Sequence, residues 1–211
     1  MSTTQEHWEQ VYGSKAAETV SWFQAEPSPS LAIIAAAGAN PEGAIIDVGA
    51  GASALVDHLL DRGFRHVSVL DVSSQALAEV KARLGERAAL VNWLVEDITT
   101  WRPPAAAFDL WHDRAVFHFL IDAADRQAYL RTLERALRPG GHVILATFAL
   151  DGPERCSGLP VQRYSPQMLA AILGPRFALI DARPETHLTP GGASQSFVWC
   201  LFRKTADGKA S

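Results

Sequence analysis

Only two cysteines, Cys156 and Cys200, occur in the 211 residues, too few and too far apart for a disulfide framework or a cysteine zinc site. A reducing, cytoplasmic setting is expected. A basic surplus is also lacking: with a net charge of −4 and a pI near 6.0 the chain has no broad electrostatic footprint for nucleic acid. Small molecules or proteins are the expected partners. No stretch of about 18 apolar residues occurs, and the first ten residues hold no basic region followed by an apolar run, so neither a membrane span nor secretion is expected. The seven histidines include no closely spaced set with an added carboxylate, so no metal site is expected. Internal repeats are missing, and the only biased segment is the polar tail at 205–211. What is present, 48% hydrophobic and 20% charged residues, suits one globular domain with an ample core and leaves no room for a second catalytic domain.

Short β-rich runs alternate with helical ones, which argues for βα units around a mostly parallel sheet, an α/β fold. The pattern predicts strands near 44–48, 67–71, 90–95, 108–112 and 141–148, with helices near 53–62, 74–85 and 124–137. Ser73 or Ser74 can cap the second helix, and Arg138-Pro139-Gly140-Gly141 stops the third. Ser165-Pro166 opens a short helix to about Leu173, and strands follow near 177–187 and 195–203. Thr189-Pro190-Gly191-Gly192 is too short for a crossover helix, so the last two strands should form an antiparallel hairpin.

The chemistry begins at Ile45-Ile46-Asp47-Val48-Gly49-Ala50-Gly51-Ala52-Ser53, an apolar strand that ends in an acid and breaks into a glycine turn. Gly49 and Gly51 let the backbone pass where a Cβ would collide. Asp71 ends the next strand, 71 − 51 = 20 residues beyond Gly51, the spacing of a ribose-binding carboxylate. Glu96-Asp97-Ile98 ends the third. Gly49-Ala50-Gly51-Ala52-Ser53-Ala54 also fits the dinucleotide fingerprint, so an NAD-dependent oxidoreductase stays open as a competing class. Asp47 beside a would-be pyrophosphate, the third acid Asp97 and the C-terminal hairpin weigh against it. A non-catalytic cofactor-binding domain also stays open, because a fold does not prove chemistry.

With the Phe108-to-Asp113 strand and the Leu137-to-Gly141 turn, these motifs resemble the class I S-adenosylmethionine-dependent methyltransferases over roughly residues 5–203. The resemblance implies a single doubly wound, mostly parallel seven-stranded sheet of order 3-2-1-4-5-7-6, its last strand antiparallel, with helices on both faces. It implies S-adenosyl-L-methionine as cofactor. By the same resemblance Asp47, Gly49, Ala50, Gly51 and Ser53 face the methionine portion, with His112 beside them. Asp71 and Val72 meet the ribose, Asp97 accepts from the adenine amine, and the Ile98 backbone touches the ring. Ser53 departs from the commonest pattern, which has a third glycine there; its hydroxyl can cap the following helix.

Residues 1–40 resemble the helical cap that folds over the cofactor in thiopurine-type and some protein-lysine methyltransferases, ahead of the methyltransferase domain at 41–204. Trp8, Tyr12 and Trp22 are the candidate cofactor contacts, and Trp suits a cation–π contact with a sulfonium. Trp8 and Tyr12, four apart on a short helix, also fit plain packing onto the sheet edge. By the same resemblance the end of the fourth strand meets the transferable methyl group, which makes His112, Asp113, Arg114 and His118 the catalytic candidates. Either histidine can act as general base, and Asp113 or Arg114 can orient it or bind a charged substrate. His118, flanked by Phe117 and Phe119, also reads as a packing residue. The loop at 151–160 is long enough for a lid, with Arg155, Arg163 and Tyr164 as substrate contacts; Cys156 reads as a small side chain and Cys200 as core. A small thiol, amine or carboxylate is the first choice of acceptor. A protein lysine is the second, because the Gly49-x-Gly51-x-Ser53 turn with the succeeding Gly63-Phe64 and Val67-to-Asp71 run also resembles eukaryotic elongation-factor lysine methyltransferases. The Asn-Pro-Pro-Tyr motif that the resemblance links to amino groups of nucleic-acid bases is absent, which argues against base methylation.

Overall fold

The computed structural model describes residues 3–14 and 19–205. Five parallel strands, β1 (Ala44–Val48), β2 (His66–Asp71), β3 (Val91–Val95), β4 (Phe108–Arg114) and β5 (Leu137–Phe148), are joined by the hairpin strands β8 (Phe177–Leu188) and β9 (Ser194–Lys204). The order is β3-β2-β1-β4-β5-β9-β8, and β9 runs antiparallel to both neighbours. A two-residue hairpin, β6 (Arg155–Cys156) and β7 (Leu159–Pro160), stands apart from this sheet. The helices are α1 (Thr3–Ser14), α2 (Ser28–Ala36), α3 (Leu55–Asp61), α4 (Ser74–Leu84), α5 (Ala123–Ala136) and α6 (Pro166–Leu173). Among the described residues no helix is long and apolar enough to cross a membrane.

Successive strand side chains point to opposite faces, and both faces of this sheet are buried, so the central strands read as continuous apolar runs. Ile45, Val67, Leu110 and Ile144 pack against α2, α3 and α4 on one face. Their chain neighbours Ile46, Trp111, Val143 and Leu145 pack against α5 and α6 on the other. This is the doubly wound arrangement. Ser73 caps α4 by accepting from the Ala76 N–H at 3.2 Å, and Ser165 caps α6 through Met168.

Three local features differ from the sequence pattern. Helix α2 is not predicted, yet Leu31, Ile33 and Ile34 bury it in the main core rather than in a cap. Helix α3 begins at Leu55, because the Ser53 hydroxyl accepts from the Leu55 N–H at 3.1 Å and holds the turn open. Strand β5 begins at Leu137, ahead of the predicted 141, and the register shift between Phe108 and Leu110 lets Arg138-Pro139-Gly140-Gly141 bulge out of the ladder.

Candidate active site

The carboxyl ends of β1, β2, β3 and β4 open onto two cavities with a shared wall of Trp22, Gly49 and Arg114. The first, of about 130 Å³, is bordered by Asp71 and Val72 after β2 and by Asp97 and Ile98 after β3. Phe148, Cys156 and Phe197 form its far end. The second, of about 50 Å³, is bordered by Asp47, Ala50, Ser53 and His112. A ligand crevice outside the strand carboxyl ends is where an open α/β sheet provides one.

The acids differ in how they are held. Asp71 accepts from the Gly51 N–H at 2.7 Å and from the Ser73 N–H at 2.8 Å. Burial pushes its carboxyl up to about 6, although those two bonds pull the other way and Asp47 adds like-charge repulsion. Asp97 turns one oxygen to Thr99, accepting from its N–H at 2.9 Å and its hydroxyl at 2.6 Å. Asp47 accepts from His112 Nδ1 at 2.7 Å, and Nε2 shares a hydrogen bond with Ser30 Oγ at 3.0 Å.

Gly49 has φ +62° and Gly51 φ +53°, both in the left-handed region. The close approach that these glycines permit is to the protein's own side chains: a Cβ on Gly49 would strike Val116, and one on Gly51 would strike the Tyr12 hydroxyl. Gly51 lines neither cavity, because Tyr12 covers it. Helix α1 and the 19–24 segment lie over the first cavity with Trp8, Tyr12 and Trp22 in mutual edge and tilted contact, and Trp8 also meets Phe119 at 5.2 Å. The carboxylate of Glu9 secures α1: it accepts from Ser74 N and Oγ, both at 2.8 Å, from Ser73 Oγ at 2.9 Å and from Gln75 N at 3.1 Å, satisfying donors at the start of α4. The 19–24 segment is held by His187 against the Ser21 carbonyl and by Glu185 against Gln24.

Period-two alternation divides the four candidates at the end of β4. His112 and Arg114 share the face of the cavities. Asp113 points the other way, is 0% exposed, and accepts from Tyr129 Oη at 2.6 Å and from the Val116 N–H at 2.9 Å. Trp111 Nε1 donates to Tyr129 Oη at 2.8 Å, which completes a closed network. Burial pushes the Asp113 carboxyl up to about 6 against these bonds. Asp113 is therefore a positioning residue for the turn through Ala115, itself at φ 73°, that presents Arg114 and Val116. His118 is likewise 0% exposed and lines neither cavity; Nδ1 accepts from the Phe148 N–H at 3.3 Å, and burial pushes the ring down to about 3. The structure brings His112 and Arg114 together and leaves Asp113 and His118 in the core.

Of the loop after β5, only Cys156 reaches the first cavity, and burial pushes its thiol up to about 11. Tyr164 packs against Phe117 in the core, and Arg163 bonds Glu154 and the Gly152 carbonyl. The Gln162 N–H donates to the His118 carbonyl and the Tyr164 N–H to the Phe148 carbonyl, which ties the loop to the scaffold. Sequence reasoning missed Glu9, Ser30, Phe119, Gln195 and Phe197. Alternation along β9 could have pointed to the last two, since Gln195 and Phe197 share one face. Among the described residues no cluster able to hold a metal ion exists.

Fold and site together define the class I architecture, a doubly wound sheet with acids at three adjacent strand ends and a glycine turn between them. Residues 45–141 match the family model of a methyltransferase domain. The chain carries a class I, S-adenosylmethionine-dependent methyltransferase domain. It is 30% identical over 157 residues to a probable thiol methyltransferase of Arabidopsis thaliana, covering 74% of this chain and 66% of that protein. It is 25% identical over 170 residues to EEF1A lysine methyltransferase 2 of Danio rerio, covering 78% and 67%. In fold it is similar to the Burkholderia thailandensis 1,6-didemethyltoxoflavin-N1-methyltransferase with bound 1,6-didemethyltoxoflavin and S-adenosylhomocysteine, at a TM-score of 0.69 and 22% identity over 97% of this chain and 85% of that one.

Proposed function

We propose that the protein transfers a methyl group from S-adenosylmethionine to a small-molecule acceptor. The observation that carries this reading is a single aromatic-roofed cavity bordered at one end by Asp71 and Asp97 and at the other by Phe148, Cys156 and Phe197, with the positions for nucleoside and acceptor continuous. Asp71 and Asp97 suit the ribose hydroxyls and the adenine amine, Val72 and Ile98 flank the base, and Asp47 in the second cavity suits the cofactor's ammonium. Trp8, Tyr12 and Trp22 exclude water and offer aromatic faces to a sulfonium. Residues 3–14 and 19–24 act as the cap.

The cofactor supplies a methyl group on a sulfonium, and the reaction is an in-line displacement in which the acceptor's electron pair forms the new bond to carbon while the carbon–sulfur pair stays on sulfur. Alignment and desolvation by these residues can therefore supply much of the acceleration. Among the described residues no histidine lines the first cavity, so the chain favours an acceptor that arrives deprotonated or as a neutral amine. A thiol acceptor accords with the Arabidopsis relative's name. Thermal unfolding with S-adenosylhomocysteine and with NADH, then labelled methyl transfer into a lysate split into protein and metabolite fractions, tests the reading. Stabilisation by S-adenosylhomocysteine alone and label in the metabolite fraction are expected; label in the protein fraction would point to lysine instead.

A further inference from the structure

Among the described residues Arg114 is the one cation on the wall shared by the two cavities. Its Nη1 donates to the Trp22 carbonyl at 2.9 Å and its Cζ lies 5.2 Å from the centre of the Phe197 ring. The remaining donors, Nε and Nη2, are buried and meet no acceptor among the described residues. Nor does Arg114 form an ion pair with any described carboxylate, although Glu185, Cys156 and Asp47 act on it electrostatically. A fork of two adjacent, buried guanidinium donors without a protein acceptor among the described residues matches the two oxygens of a carboxylate, or a single thiolate sulfur. The Gln195 side-chain oxygen, in the same cavity, is a third buried polar atom without a partner among the described residues.

We propose that Arg114 anchors an anionic acceptor: a small, largely apolar molecule whose carboxylate or thiolate seats on Nε and Nη2 between Trp22 and Phe197. The proposal rests on the methyl-transfer reading for the identity of the bound molecule. The guanidinium lies over the Phe197 ring, and Phe197 and Gln195 border only the first cavity, so the Arg114 side chain reaches its acceptor end. An acceptor that arrives as an anion also needs no base, in keeping with a cavity wall that holds no histidine among the described residues. The same chemistry could be met by the amino-acid carboxylate of the cofactor, so the two sources must be separated.

Calorimetric titration of the full chain saturated with S-adenosylhomocysteine, using benzoate and its neutral isostere benzamide, separates them. Benzoate should bind at least about tenfold more tightly, Arg114→Gln should abolish that difference, and Arg114→Lys should keep part of it. Affinity for S-adenosylhomocysteine should stay within about threefold in both variants, which also reports that they fold. Equal binding of benzoate and benzamide to the unaltered protein, or binding of neither, overturns the proposal without any variant. A loss of S-adenosylhomocysteine affinity in Arg114→Gln as large as the loss for benzoate assigns the anion to the cofactor and overturns it too. If benzoate discriminates but no labelled methyl transfer to any acceptor is found, the methyltransferase reading fails while the anion anchor stands.

Discussion

The Tyr12 hydroxyl stands where a side chain on Gly51 would have to go, so the glycine turn after β1 and the first helix are built as a matched pair. Tyr12 is buried there and packs with Ala52 and Ala76. A glycine read from sequence as room for a ligand is thus room for the cap, and the cap in turn roofs the cavity that Asp71 borders.

Gly51→Ala should therefore act through two causes. The left-handed φ of +53° costs about 1–2 kcal/mol for a residue with a Cβ, and the collision with Tyr12 adds to it. At about 2–4 °C per kcal/mol for a chain of this size, a thermal midpoint lowered by at least about 2–8 °C is expected. Tyr12→Ala should relieve the collision but not the backbone strain. A double-mutant cycle read by urea unfolding checks this: effects that add within about 0.5 kcal/mol would mean that the two residues do not act on each other.

The Asp71 carboxyl, raised by burial to about 6, should on the proposed reading set a pH dependence for cofactor binding. Above pH 6 it is ionised and can accept two ribose hydroxyls alongside its two backbone donors; below pH 6 the proton must leave before the ligand is held. S-adenosylhomocysteine affinity should fall by up to tenfold per unit below pH 6, so that it is roughly tenfold weaker at pH 5 than at pH 7.5. Asp71→Ala should weaken binding by at least about tenfold at pH 7.5, in line with loss of bonds to a charged group, and flatten the profile. A dissociation constant independent of pH in the unaltered protein would remove Asp71 from the site.

Much of this was legible in advance because the sheet writes its signal locally. The apolar runs of β1 and β2, the acids that end them, the Pro139-Gly140-Gly141 stop and the Thr189-to-Gly192 turn each specify an element without help from the rest of the chain. The seven-strand order and the final antiparallel hairpin followed from them. The site was less legible because side-chain direction there depends on pairing. Alternation sends His112 to Ser30 and Asp113 to Tyr129, but which face carries the roofed cavity is set by where α1 and the 19–24 segment lie. Glu9 left no motif at all, since its partners Ser73, Ser74 and Gln75 lie 64 to 66 residues away in the chain.

Glu9 is the testable hold on the cap. Burial pushes its carboxyl up, but hydrogen bonds from Ser74, Gln75 and Ser73 outweigh that and keep it below the usual glutamate value. A carboxyl lowered on folding contributes stability above its unfolded value that is lost as pH falls through the folded one, so the hold persists at neutral pH. Glu9→Ala should cost about 1 kcal/mol, as loss of a helix cap does. Amide exchange over residues 3–14 should speed up, and S-adenosylhomocysteine should dissociate faster. Unchanged exchange in α1 would show that Trp8 and Tyr12 suffice to hold it.

His118 and Asp113 should give opposite acid responses, because both are fully buried and their shifts differ in direction. The imidazole, pushed down to about 3, refuses a proton that the unfolded chain takes near 6.5. Between those values the unfolded state binds more protons, so stability falls as pH falls, by about 1.4 kcal/mol per unit. The Asp113 carboxyl, raised to about 6, takes its proton in the fold before the unfolded chain does near 3.9. Its contribution therefore grows as pH falls through 6 and partly offsets the loss at His118. His118→Asn, whose amide oxygen can still accept from the Phe148 N–H, removes the loss and leaves the gain. Urea unfolding at pH 7.0 and 4.5 should show the variant gaining about 2–3 kcal/mol on the unaltered chain at the lower pH, with turnover within about threefold. Asp113→Asn should move the other way. An acid response identical in His118→Asn and the unaltered protein would mean that the imidazole takes its proton in the fold as readily as in the unfolded chain, and so is not shielded in the core.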